Sequence, residues 1–142
     1  MSRAINSRTG YIPTVNIFAI LSIAFLLVFL QATQGHAVEL QKIDTVFTDN
    51  ASHIVLQLSE NVRYKHQLLP ADDRNPGRCY VDLYSTSRSK SLPSWIAIDN
   101  ANLTRIRTGV HGTTIRVVLD LKAQSTCTLS AISDPTRLIM TV

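Results

Sequence analysis

Glycine is scarce in this chain, five residues in 142. A loop that cradles a phosphate with backbone amides needs several glycines close together, and no such run exists. There is no Gly-x-Ser-x-Gly elbow to present a nucleophile and no His-Glu-x-x-His helix to hold a catalytic zinc. Beyond residue 37 the histidines are His53, His66 and His111, and none stands at a metal-ligand spacing. These absences argue against an enzyme, and no metal or cofactor is expected. Long apolar runs are lacking too. The longest, Ile17 to Leu30, has 14 residues, short of the roughly 20 that span a bilayer. After it, no helical period can be found.

Acidic residues are missing from one region altogether. Residues 1–37 contain no Asp or Glu, and open on a basic stretch with Arg3 and Arg8. The apolar run follows, then "QATQGHA" with Gly35 and Ala37 at the small-residue positions of a cleavage site. This is the layout of a secretory signal peptide over 1–37. An uncleaved membrane anchor is the alternative, because Tyr11 to Val15 can lengthen the span. No cysteine stands just after the run, so a lipid anchor is not expected. The exported domain is then Val38 to Val142. Two of the arginines behind the net charge of +4 leave with the leader, so strong nucleic-acid binding is not indicated.

What the domain does contain is strand signals. Runs of about five to eight apolar and β-branched residues alternate with the turn clusters "TDNAS", "LPADDRNPG", "HGT" and "SDP", and with a polar linker, "STSRSKSLPS". Strands are expected near 39–47, 52–59, 62–69, 78–85, 102–110, 114–121, 125–132 and 136–142. The second half repeats the first. At an offset of 63, Leu40, Lys42, Ile43 and Thr45 meet Leu103, Arg105, Ile106 and Thr108. Ile54, Val55, Leu56 and Leu58 meet Val117, Val118, Leu119 and Leu121. After Leu69 the offset falls to 59, and Arg78, Cys79, Val81 and Leu83 meet Arg137, Leu138, Met140 and Val142. The slack falls in a hairpin loop, where insertion is cheapest.

A sheet with one apolar face cannot bury it alone, so the repeat predicts a sandwich of two similar four-stranded sheets, one from each half. Alternation points Ile54, Leu56, Leu58, Cys79, Val81, Leu83, Ile115, Val117, Leu119, Leu121, Cys127 and Leu129 inward. Cys79 and Cys127 are then either a disulfide, as export favours, or two small buried hydrophobes. A bridge requires the sheets to converge, since facing sheets lie about 10 Å apart and bonded Cα atoms within about 7 Å. His66 also falls on the inward parity, which is awkward for a polar ring.

"RIRTGVHGTTIRVVLDL" (Arg105 to Leu121) resembles the central signature of the AMIN domain family. "GRCYVDLY" (Gly77 to Tyr84) and "DPTRLIMTV" (Asp134 to Val142) resemble its two closing strands. The resemblance implies two symmetry-related β-sheets and a periplasmic module that binds peptidoglycan. It also implies partners, because such modules stand ahead of N-acetylmuramoyl-L-alanine amidase or secretin domains. In this sequence neither follows Val142. The chain then acts alone, is a shortened relative, or is the start of a longer protein. A module that recruits an envelope protein by strand addition is the other reading.

A wall ligand offers stem-peptide carboxylates and flat sugar faces. It calls for Arg or Lys beside an aromatic ring. Arg105, Arg107, Arg116 and Asp120 have outward parity around "HGT". A turn centred on His111-Gly112 sets Arg107 opposite Arg116, an unfavourable pair that either an anionic ligand or a nearby acid would relieve. The first half offers Lys42, Asp44, His53 and Gln57 at the equivalent places. Trp95, the one tryptophan, either stacks on a ligand or caps the edge of the core. Arg78 and Arg137 begin equivalent strands and are read as braces for the loops before them.

Overall fold

The computed structural model describes residues 37–122, 125–134 and 136–142, and the strands fall where the alternation predicts them. They are β1 (Val38–Phe47), β2 (Ser52–Leu58), β3 (Tyr64–Leu69), β4 (Arg78–Leu83), β7 (Leu103–His111), β8 (Thr114–Leu121), β9 (Thr128–Ser133) and β10 (Thr136–Thr141). Two short strands lie inside the stretch expected to be a linker and the residues just after it: β5 (Thr86–Arg88) and β6 (Trp95–Ala97). A three-residue edge strand needs only one row of hydrogen bonds, so it leaves no apolar alternation to read. The expected leader, 1–37, lies outside the described residues except for Ala37.

The described residues are all-β, with two packed five-stranded sheets. Their orders are β5-β1-β2-β10-β9 and β3-β4-β8-β7-β6. Each is a repeat-related set of four strands with one short edge strand added. The halves do not make one sheet each, however. Each sheet takes one hairpin from each half, β1–β2 with β9–β10 in the first and β3–β4 with β7–β8 in the second. Alternation tells which side of a strand is buried. It says nothing about which strand lies alongside, because backbone hydrogen bonds are the same for every partner.

The repeat survives in the detail. The ladder slips by one residue between Leu40 and Lys42 in β1, and between Leu103 and Arg105 in β7, positions 63 apart. Such a bulge puts an extra residue on one strand and changes its facing. It lets Leu40 and Ile43, and likewise Leu103 and Ile106, all point inward although they are three apart.

Every inward residue named from the alternation is buried, with Leu129 half-buried against the rest. Ile54, Leu56, Val81, Leu83, Val117 and Leu119 are completely covered. Each such side chain contributes roughly 1.5–3 kcal/mol relative to exposure. Among the described residues the buried core runs from Leu40 to Met140, with Val38 and Val142 packed against it, so the domain has a core of its own.

Cys79 in β4 and Cys127, just ahead of β9, form a disulfide across the two sheets, with Cα atoms 6.3 Å apart. The chain entering β9 therefore comes well inside the ordinary spacing of facing sheets. His66 keeps its inward parity. It does so on edge strand β3, where the ring is only half-buried, and its Nε2 lies 3.1 Å from Cys79 Sγ. Burial holds its pKa below the usual imidazole value. Replacing both cysteines by alanine should lower the unfolding free energy by roughly 2–4 kcal/mol. Urea denaturation with and without reductant checks this, and reductant should shift only the wild-type midpoint.

Candidate functional site

The outer face of the second sheet is built by the residues that alternate with its core. Three rows cross it. The first runs Lys65, Asp82, Arg116, Gly109. The second runs Gln67, Tyr80, Val118, Arg107, Trp95, and the third Leu69, Arg78, Asp120, Arg105, Ala97. The middle of this face is hollow, a cavity of about 570 Å³. Arg105, Arg107, Arg116 and Trp95, the four residues singled out in the sequence, all line it.

Arg107 and Arg116 do not face one another. The turn is Gly112-Thr113, between paired His111 and Thr114, so Arg116 stands opposite Gly109 and Arg107 opposite Val118. Gly112 has φ of 60°, and Thr113 has no positive φ. That is the pattern of a two-residue type II′ turn, in which glycine takes the first central position. The shift is by two residues. It changes partners and leaves every side chain on its predicted face.

Acids do neutralise part of the face, as one of the two readings held. Asp120 is 3% exposed. It accepts two hydrogen bonds from Arg107, at 2.9 Å from Nε and 2.6 Å from Nη2, and another from Arg105 Nε. Asp82 accepts both fork hydrogens of Arg116, at 2.6 Å and 2.8 Å. The Arg116 guanidinium also lies over the Tyr80 ring, 4.3 Å from its centroid, a favourable cation–π geometry. Yet four guanidiniums line the cavity, those of Arg78, Arg105, Arg107 and Arg116, against these two carboxylates.

Both acids titrate low. Burial pushes the Asp120 carboxyl up, but the hydrogen bonds and charges of Arg107 and Arg105 together outweigh it. For Asp82 the hydrogen bond from Arg116 dominates and burial opposes it. The same bonds raise the pKa of Arg107 and of Arg116.

Trp95 is 60% exposed and does not cap the core; it stands on the outer face opposite Arg107. Arg78 partly does what was expected of it, since Nη2 lies 3.4 Å from Asn75 Oδ1 in the preceding loop. It also lines the cavity, as Tyr80 does; the sequence reading missed both, and missed Asp82, which holds Arg116. Their alternation with Cys79, Val81 and Leu83 was visible. That β4 lies against β8 was not, and this pairing is what brings them to Arg116.

Among the described residues, His66, Cys79 and Cys127 form a group with metal-ligand atoms close together. Both sulfurs are bonded to each other, so neither is a thiolate able to bind an ion.

The family model of the AMIN domain matches residues 42–142, and the chain belongs to that family. AMIN domains are non-catalytic modules known for targeting to peptidoglycan, typically in the periplasm. No curated protein matches the sequence.

The lowered carboxyls predict an acid sensitivity with a definite sign. Stability contributed by Asp82 and Asp120 is present above the unfolded carboxyl pKa of about 4 and is lost as pH falls through the lower folded values. Asp120→Asn should flatten the fall in melting temperature below about pH 4. At neutral pH it should cost roughly 1–3 kcal/mol, discounted for the exposure of both arginines. Thermal melts of both proteins across pH 2–7 check it.

Proposed function

We propose that this AMIN domain binds peptidoglycan through the outer face of its second sheet. The observation that carries the reading is convergence. Arg105, Arg107, Arg116 and Trp95 were chosen from the sequence for their chemistry, and they line one cavity. A guanidinium-rich hollow beside an exposed indole suits a polymer that carries carboxylates and flat sugar faces.

The reading includes export. Residues 1–37 act as the leader and Val38–Val142 as the working domain, in an oxidising compartment that keeps the Cys79–Cys127 bridge closed. Binding is non-covalent, and the domain's task is to hold an attached or associated protein at the wall. An amidase or a secretin-type protein would gain most from such placement.

Arg107 and Arg116 are poor residues to delete in a test, since each holds a nearly buried carboxylate. Trp95→Ala is better, because the ring is exposed and its loss leaves the core intact. The measurement is co-sedimentation of Val38–Val142 with protein-free sacculi over a salt series. Wild type should pellet at low salt and be released as salt rises, as contacts with exposed charges are screened. Trp95→Ala should bind about tenfold more weakly with an unchanged melting temperature. Equal retention of this variant would remove the face from consideration. A folded wild type that stays in the supernatant would overturn the reading.

A further inference from the structure

The repeat supplies an internal comparison, because the outer face of the first sheet is the counterpart of the cavity face. Gln57 pairs with Arg137 as Asp120 pairs with Arg78. Val55 pairs with Ile139 as Val118 pairs with Tyr80, and His53 with Thr141 as Arg116 with Asp82. Lys42 and Asp44 occupy the places of Arg105 and Arg107.

The two faces have diverged in charge. On the first sheet an acid, Asp44, stands where Arg107 stands on the second. It pairs with Lys42 Nζ at 2.7 Å and accepts from Gln57 Nε2, so those three groups satisfy one another. Arg137, beside Gln57, makes no ion pair among the described residues, and what sets its face apart is that it has no arginine or tryptophan at the places of Arg107, Arg116 and Trp95. His53 and Thr141 are linked by a Nδ1–Oγ1 contact of 3.1 Å in place of the Arg116–Asp82 ion pair. Edge strand β5 pairs with Val38–Leu40, at the far end of β1 from Asp44, so it offers no counterpart to Trp95.

On the second sheet every carboxylate oxygen is already taken. Both oxygens of Asp120 are held by Arg105 and Arg107, and both of Asp82 by Arg116. Arg78 makes no ion pair among the described residues; it has the long contact to Asn75 and a longer-range attraction to the exposed carboxylate of Asp72. It stands beside the apolar surface of Leu69, Tyr80 and Val118. A concave site with surplus guanidinium charge and an apolar floor is completed by an anion carried on a small apolar body. Sugar hydroxyls would leave the surplus uncompensated.

We infer that the ligand group is a stem-peptide carboxylate, taken by Arg78 on the cavity face, and that the repeat-related face around Arg137 does not take one. This rests on the peptidoglycan reading and names the part of the polymer that is recognised.

The test is calorimetric titration of Val38–Val142 with a soluble stem tetrapeptide, and with the same peptide amidated at its carboxylates. Sacculus co-sedimentation runs in parallel. Arg78→Gln removes the charge while keeping a polar side chain with the same aliphatic stem, and Arg137→Gln is its symmetric control. The free stem should bind, and the amidated stem about tenfold or more weaker. Arg78→Gln should lose a similar factor with an unchanged melting temperature, and Arg137→Gln should match wild type. Equal binding of both peptides would overturn the inference, as would equal losses from the two variants. Competition by inorganic phosphate as effective as that by the stem would also overturn it, by making this a general anion site. If sacculi retain the wild type while amidation changes nothing, only the carboxylate assignment fails. If sacculi do not retain it, the peptidoglycan reading beneath fails as well.

Discussion

Each central strand of this sandwich must give one of its two faces to the core, and that obligation leaves a single face for chemistry. β8 is the plainest case. Ile115, Val117, Leu119 and Leu121 are buried, and Arg116, Val118 and Asp120 are left to face outward. β4 does the same, with Cys79, Val81 and Leu83 inside and Arg78, Tyr80 and Asp82 outside. When these two strands lie side by side, their outward residues form a charged patch without costing the core a single apolar contact. Burial of the apolar set supplies the stability, and the polar set rides on that scaffold.

The patch has a structure of its own because the sheet holds its charges close. Asp120 is covered by the arginines that bind it, so it is nearly buried on a face that is formally solvent-exposed. A carboxylate in that position is stable only while its hydrogen bonds are made. The arginines are thereby fixed in place at the rim of the cavity, with less side-chain freedom left to lose when a ligand arrives. The bulge in β7 makes this possible. By admitting one extra residue it keeps Leu103 in the core while Arg105 and Arg107 both reach Asp120 from the same side.

The duplicated architecture explains how one face can specialise. Both sheets repeat the same ladder, down to the bulge, so the inner faces remain interchangeable in kind. Packing restricts those inner positions, and the outer ones are free to differ. Several outward exchanges, with Asp44 at the place of Arg107, Gln57 at that of Asp120, and His53 and Thr141 at those of Arg116 and Asp82, separate the basic hollow from its counterpart.

Much of this could be read from the sequence alone. Alternation marked the strands and the buried set, the offset of 63 marked the repeat, and outward parity gathered Arg105, Arg107 and Arg116. The three-residue spacing of Leu40 to Ile43 and of Leu103 to Ile106 even carried the bulges, though a strict two-residue reading passes over them. These features are local, set by which way a side chain points from its own backbone. Which strands became neighbours was not local. The swap of hairpins between sheets, the meeting of Asp82 with Arg116, the place of Arg78 and Trp95 beside the cavity, and the closure of the disulfide were all decided by tertiary structure. Backbone ladders accept any partner, so only the mutual burial of both apolar faces selects the arrangement.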